Sequence, residues 1–405
     1  MKNNATAGEA QHSVTMSNGR DDTHNGYLNE DYNHNVTTPV QVRPRHLENG
    51  RKRKLVLHFD VRNTVLVADS VTKVHMEQAL NSFLSGVVWG NEQEDGSWRW
   101  QCDEPSLVPP QDGVITYYRH LEKLTVKCPS DRERLRFQTG DFTDTDIGYK
   151  FLPHFKKHLE LLKWNYSKDE TCDRRLTMKG VDGKPYHYIL PSVYKLIHQL
   201  KEDRRDFAIV IRTYGLDCKN VLSSLSFGLK GNHPGFPKDA HLPVSTFPGC
   251  IRRTESGEIT LETWQTGVGD VAEKLQHERD IYRHLSNSSG ITGYKDDFQI
   301  WQNNNYHHSV AKPLWIDPSD THVHHIIFDD NFRAYEEDSI VDARMFDTDD
   351  KTKARSLTRK ELERFEDVCL VQANLLESIE NENYFIEKVN KCESGYSKFL
   401  KLGAL

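Results

Sequence analysis

Apolar residues in this chain fall in short runs that each end on a polar group, and the runs are separated by long stretches without a clear period. Leu55–Phe59 is apolar at four of five positions and stops at Asp60; the cluster Arg62-Asn63-Thr64 follows, then a second run, Val65–Ala68. A run of this length bounded by polar turn residues predicts a buried strand. Beyond it, Val71, Val74, Leu80, Phe83, Leu84, Val87 and Val88 fall near helical spacing, with Asp69 or Ser70 as N-cap and Gly86 or Gly90 near the stop. The strand-to-helix order repeats when Phe207–Ile211 ends in Arg212-Thr213-Tyr214-Gly215 and Asp217–Leu229 continues as a helix. A third strand, His324–Phe328, ends in the pair Asp329-Asp330; Lys312 stands in the block before it, and residues 339–342 predict a short further strand.

The intervening stretches read differently. Residues 1–50 are rich in Asn, Asp, His, Thr and Gly without apolar periodicity, which predicts a disordered tail. Residues 91–150 look like an insertion, Phe151–Trp164 a helix, and Arg174–Tyr188 a polar loop or hairpin. From Pro191, the stripe Val193, Leu196, Ile197 and Leu200 predicts a surface helix. Residues 231–300 are mixed, with a strand over 258–264 inside an insertion and helices over 267–285 and 296–304. A capping box at Thr358 and Glu361 opens an amphipathic helix through Leu362, Phe365, Cys369, Leu376 and Ile379.

Charge and composition remove several classes of function. A net charge of −7 gives no general attraction for nucleic acid. No run approaches the roughly 20 apolar residues of a membrane span, and the first residues lack a secretory apolar region, so an intracellular, cytoplasmic protein is expected. The tetrad Arg51-Lys52-Arg53-Lys54 reads as a solvated strand entry, with a nuclear address as the alternative. Seven cysteines, odd in number and never in C-x-x-C spacing, signal neither a disulfide framework nor zinc. Among the histidines, His307-His308 and His322, His324, His325 invite a metal reading. Neighbours on a strand face opposite ways, however, so packing or surface roles are expected for them. Trp98, Trp100, Trp264 and Trp301 are likewise expected to form the insertions' own small cores rather than a substrate cage.

Three buried strands thus end in Asp60, Thr213 and Asp329-Asp330. Ligands bind at the carboxyl ends of strands in open parallel sheets, so these side chains and Lys312 would converge on one rim. Three neighbouring carboxylates cannot all stay ionised without compensation, and a lysine with a divalent cation resolves this. Mg²⁺ suits such a set of hard oxygens.

These residues resemble the four signatures of the haloacid dehalogenase (HAD) superfamily. The signatures are an apolar strand ending in D-x-D-x-T (here Asp60-Val61-Arg62-Asn63-Thr64), a strand ending in Ser or Thr (Ile211-Arg212-Thr213), a lysine (Lys312-Pro313) and a strand ending in acids (Phe328-Asp329-Asp330-Asn331). The resemblance implies an α/β fold with a doubly wound, parallel Rossmann-like sheet. It places a core over 51–345 with cap-type insertions at 91–189 and 231–305; beyond it, the capping box and apolar stripe read as a C-terminal helical extension over 346–405. It also implies an Mg²⁺-dependent phosphatase acting on a phosphorylated small molecule or protein, with no nucleic acid or membrane partner. Asp60 would be the nucleophile forming an aspartyl-phosphate. Thr213 and Lys312 would stabilise the transferring group. Asp60, the Arg62 carbonyl, Asp329 and Asp330 would hold Mg²⁺, and Arg62 and Thr64 would face the substrate.

One position departs from the pattern. Arg62 stands where the family's phosphatases carry the acid that protonates the leaving group, and a guanidinium cannot do that at neutral pH. The alternatives are a substrate with a good leaving group, an Arg62 clamp on a substrate anion, an outward-pointing Arg62 paired on the surface, or a catalytically silent binding or regulatory module. Carbon–halogen hydrolysis, which needs no such acid, is disfavoured by the acidic pair.

Overall fold

The segment Lys54–Asp60 forms strand β1, buried at every position after Lys54. The core strands that follow are β2 (Phe207–Thr213), β3 (Gly249–Arg253), β4 (Ile259–Trp264), β5 (Val271–Leu275), β6 (Gly290–Lys295), β7 (Lys312–Ile316), β8 (Val323–Asp329), β9 (Val341–Phe346), β10 (Ala354–Ser356) and β11 (Leu370–Gln372). The computed structural model describes residues 52–67, 74–128, 131–166, 172–237, 242–254, 256–264, 271–347 and 352–402. The tail expected over 1–50, the Asp69 or Ser70 cap, and the start of the helix expected from residue 267 lie outside them.

Eight strands form one sheet in the order β5-β4-β3-β6-β2-β1-β8-β11. From β3 to β11 every neighbour runs parallel, while β4 and β5 extend one edge antiparallel. In β1 the side chains of Leu55, Leu57 and Phe59 join one core with Ile209, Ile211, Ile326 and Phe328. Helices Pro191–Glu202, Cys218–Phe227 and Tyr384–Lys401 cover that face with Val193, Leu222 and Phe385 among others. Val56 and Val210 point the other way, onto Ile281 and Leu285 of helix Glu278–Asn287. Ile327 meets Leu314 and Val341 of a second, three-stranded sheet β7-β9-β10. The fold is therefore mixed α/β with a large, mostly parallel central sheet buried on both faces. This is why its strands read as unbroken apolar runs rather than as alternation.

Three differences from the sequence reading follow from that sheet. Residues 231–305 are not a separate module: they contribute β3, β4, β5 and β6, all in the central sheet. The strand expected over 258–264 is β4, β5 stands where a helix was expected from residue 267, and proline-rich approaches and the glycines of Gly290-Ile-Thr-Gly293 mask β3 and β6. Gly293 is small because a Cβ there would stand 2.4 Å from Cys218 Sγ. The segment 346–405 is not solely helical either, since β11 closes the sheet edge beside β8. The helix expected from Thr358 stops at Phe365, and a separate helix spans Leu375–Glu380. Lys312 opens β7, a strand of the smaller sheet stacked on the central one.

Residues 91–189 stay outside the central sheet. Trp98–Trp100, Trp89–Glu92 and Ile115–Thr116 form a small antiparallel sheet, followed by helices Tyr117–Thr125, Arg132–Gly140 and Leu152–Leu161 and by the hairpin Thr177–Lys179 with Pro185–His187. Trp98, Tyr117, Phe142 and Phe151 continue the main apolar core. Trp100 is exposed, with Lys150 Nζ 3.4 Å above its ring. In the basic tetrad, Arg53 donates to Ser397 Oγ at 3.0 Å and Lys54 to the Ser288 carbonyl at 2.7 Å. No helix among the described residues is long and apolar enough to cross a membrane.

Candidate active site

Asp60 and Asp329 are the last residues of two adjacent parallel strands. Each follows a core phenylalanine, and Phe59 and Phe328 stack with centroids 4.7 Å apart. Lys312, 1% exposed, reaches in from the overlying sheet and donates to Asp60 Oδ1 at 2.5 Å and Asp329 Oδ2 at 2.8 Å. Asp330 completes a group of three carboxylates whose ligand oxygens lie within 4.8 Å of one another. Among the described residues this is the one cluster of three or more metal-ligand groups.

The acids are also held by amides. Asn63 Nδ2 donates to Asp330 Oδ2 at 3.0 Å, Asn331 Nδ2 to Asp330 Oδ1 at 3.1 Å, and the Asn331 backbone N–H to Asp329 Oδ1 at 3.0 Å. Asn63 does this from a left-handed conformation (φ 58°), which Asn tolerates better than most residues. Burial pushes the Asp60 carboxyl up; Lys312 pulls it back, and the Asp329 and Asp330 charges raise it further, so it ends well above the usual range. Burial and Asp329 raise Asp330 as well, against the Asn63 hydrogen bond and the charges of Arg62 and Lys312. Burial alone would lower the Lys312 ammonium, but Asp329, Asp60 and Asp296 outweigh it and hold the group raised.

Thr213 ends β2 one residue beyond Arg212, the in-register partner of Asp60. It is buried, and its Oγ1 accepts the Gly215 N–H at 2.9 Å. Thr64 is fully buried, and its hydroxyl has no hydrogen-bond partner among the described residues. Arg62 is half-buried, and its charge acts on Asp330 and on Tyr118 of the first insertion.

Two groups outside the expected rim support it. Arg212, fully buried, makes a bidentate pair with Asp296 (Nε–Oδ2 2.9 Å, Nη2–Oδ1 2.5 Å) and donates to the carbonyl of Pro313, next to Lys312, at 3.1 Å. It also approaches His58 Nδ1 at 3.4 Å. A guanidinium only donates, so the proton of His58 sits on Nε2 and faces His325 Nδ1 at 3.1 Å. His325 Nε2 then meets Ser286 Oγ at 2.9 Å. Removing either partner of such a buried pair strands a charge. The one sequence signal was Arg212 itself, a cation inside a buried strand, which requires a buried acid somewhere. The histidines at 324 and 325 do face opposite ways: His324 stacks on Tyr396 at 4.2 Å while His325 lies against Tyr282 at 5.0 Å.

The first insertion reaches the loop that follows the acid pair. Arg119 pairs with Glu336 at 2.7 Å and Asp338 at 2.5 Å, and Glu122 bridges Arg119 and Arg132 at 2.8 and 3.0 Å. Comparison with family models, with curated proteins and with solved structures gives no match.

Proposed function

We propose that this chain is an Mg²⁺-dependent hydrolase of phosphorylated substrates, working by HAD-type chemistry with Asp60 as nucleophile. The observation that carries the reading is the Lys312 ammonium bridging Asp60 and Asp329 at the carboxyl ends of adjacent parallel strands, with Asp330 within ligand distance. Structural ion pairs rarely gather three buried carboxylates around one lysine, because burying uncompensated charge is costly.

The donor set fits a hard divalent cation. Three carboxylates and one ammonium leave a formal deficit of two positive charges when all are ionised, and every remaining donor is oxygen. Asp60, Asp329 and Asp330 would hold the ion, with the Arg62 carbonyl as the further ligand the family pattern supplies. When bound, the ion offsets repulsion between a carboxylate nucleophile and an anionic substrate. Lys312 keeps the Asp60 oxygen oriented and neutralises part of the transferring charge. Thr213 offers its hydroxyl at the neighbouring strand end. Asn63 and Asn331 hold Asp330 in place.

The test is turnover of acetyl phosphate and phosphate esters by the purified chain with Mg²⁺, beside Asp60→Asn. Phosphate release that requires Mg²⁺ and falls by several orders of magnitude in Asp60→Asn is expected; equal rates for both proteins sink the reading. A catalytically silent binding module is the second reading, favoured by Arg62, and absence of turnover on every substrate supports it.

A further inference from the structure

Beside Lys312 lies a group of aromatic rings that the proposed chemistry does not yet use. The Tyr214 ring centroid is 5.1 Å from Lys312 Nζ. Trp301 stacks on Tyr214 at 5.3 Å with planes 15° apart, and Phe298 meets it edge-on at 5.5 Å. Tyr306 closes on Trp301 at 5.0 Å and carries Arg132 of the first insertion 5.0 Å from its own centroid. Tyr214 follows the last residue of β2, and Phe298 opens the short helix Phe298–Asn303 just after β6. The rings therefore sit at the same end of the sheet as Asp60 and Asp329, where parallel sheets bind ligands.

Three features separate this group from ordinary core. Phe298 is 37% exposed, so an apolar ring is open to solvent at the rim. The Tyr214 hydroxyl and the Trp301 indole N–H are buried without a hydrogen-bond partner among the described residues, although such groups are nearly always satisfied in a packed interior. Asn305 and Tyr306 are consecutive non-glycine residues at φ 53° and 60°, a backbone arrangement that collects at functional sites.

Arg62 gives the group a chemical meaning. With a guanidinium in place of a proton donor, the leaving group must depart as an anion. The conjugate acid of a phenolate has a pKa near 10, so an aryl phosphate expels phenolate from phosphorus far more readily than an alkyl phosphate expels alkoxide. We propose that Tyr214, Phe298 and Trp301 are the leaving-group subsite of the hydrolase proposed above, and that its substrates are aryl phosphate monoesters. The inference rests on that reading. An Asp60 carboxylate oxygen forms a bond to phosphorus while the phosphorus–oxygen bond to the aryl group breaks. The bonding pair leaves on the phenolate, whose charge Arg62 offsets. Water then cleaves the aspartyl-phosphate, releasing inorganic phosphate and restoring Asp60.

The experiment compares three substrates on the full chain with Mg²⁺: phenyl phosphate, benzyl phosphate, which has the ring but leaves as an alkoxide, and acetyl phosphate, which has a good leaving group and no ring. Phenyl phosphate is expected to exceed benzyl phosphate in kcat/KM by at least a hundredfold. Phe298→Ala, an exposed position that leaves the core intact, is expected to lower the ratio of phenyl to acetyl phosphate kcat/KM by about three- to tenfold, the scale of one aromatic contact. Acetyl phosphate turnover with phenyl and benzyl phosphate equal, or with the Phe298→Ala ratio unmoved, overturns the subsite and leaves the hydrolase standing. No turnover of any of the three by the unaltered chain overturns both.

Discussion

Arg62 stands two residues after Asp60, and its charge acts on Asp330 at the rim. If a missing proton donor limits the chain on alkyl esters, Arg62→Asp is expected to raise kcat on benzyl phosphate by about 10²–10⁴-fold, the usual contribution of general acid–base help. A variant no faster than the unaltered chain on that ester counts against the idea. Asp60, Asp329 and Asp330 were legible because each ends or follows an apolar run, and a carboxylate there has few reasons to exist other than chemistry or a turn. Asp296 was not legible. It follows Gly290–Lys295, whose glycines and threonine mask the strand, and its partner Arg212 is 84 residues away. Asn63 was passed over because a turn asparagine looks the same whether or not it holds an acid in place.

At the level of elements, strands with continuous apolar runs declared themselves, and strands at the sheet's edges did not. Edge strand β5 is antiparallel and largely exposed, and β11 is three residues long, so neither offers the period that marks an element, whereas β4, one place in from the edge, alternates and is the strand expected over 258–264. The capping box was visible because it is local: the Thr358 N–H donates to Glu361 Oε2 at 2.8 Å. What continues the chain beyond it is decided by pairing with β8, which lies far away in sequence. Helix Tyr384–Lys401 belongs to the same distant logic. Its Phe385 meets Phe59 and Phe328 edge-on at 5.1 and 5.4 Å, directly beneath the two strand-end acids. Phe385→Ala is expected to cost about 3–5 kcal/mol, seen as a lower urea midpoint at unchanged slope. A loss under 1 kcal/mol would mean the helix is not part of the core that supports Asp60 and Asp329.

Buried histidines give the molecule an acid-side pH limit, opposed in part by Asp60 and Asp330, whose buried carboxyls, raised to about 8 and about 7, hold protons in the fold that the unfolded chain gives up. Burial lowers His187 to about 4 and His233, His324 and His325 to about 3, so the folded chain keeps them neutral where the unfolded chain, near 6.5, takes up protons. Folded values below the unfolded one mean full stability above about pH 6.5 and progressive loss as pH falls toward 4. The slope is about 1.4 kcal/mol per pH unit for each histidine. Urea titrations between pH 7.5 and 4.5 are expected to differ between the unaltered chain and His233→Phe by about one proton, the variant losing less stability toward acid; identical pH profiles for the two proteins refute the assignment. The chain's connectivity also bears on its synthesis. Lys312 and Asp60 are separated by 252 residues, so at ~5–20 residues per second the first strand waits roughly 13–50 s on the ribosome before its lysine is even made. During that time β1 has no β8 and Asp60 no cation, and the nascent chain exposes an apolar strand beside an acid. Until then only β2 is available to pair with β1, so slowed translation between β2 and Lys312 is expected to lower the yield of folded chain.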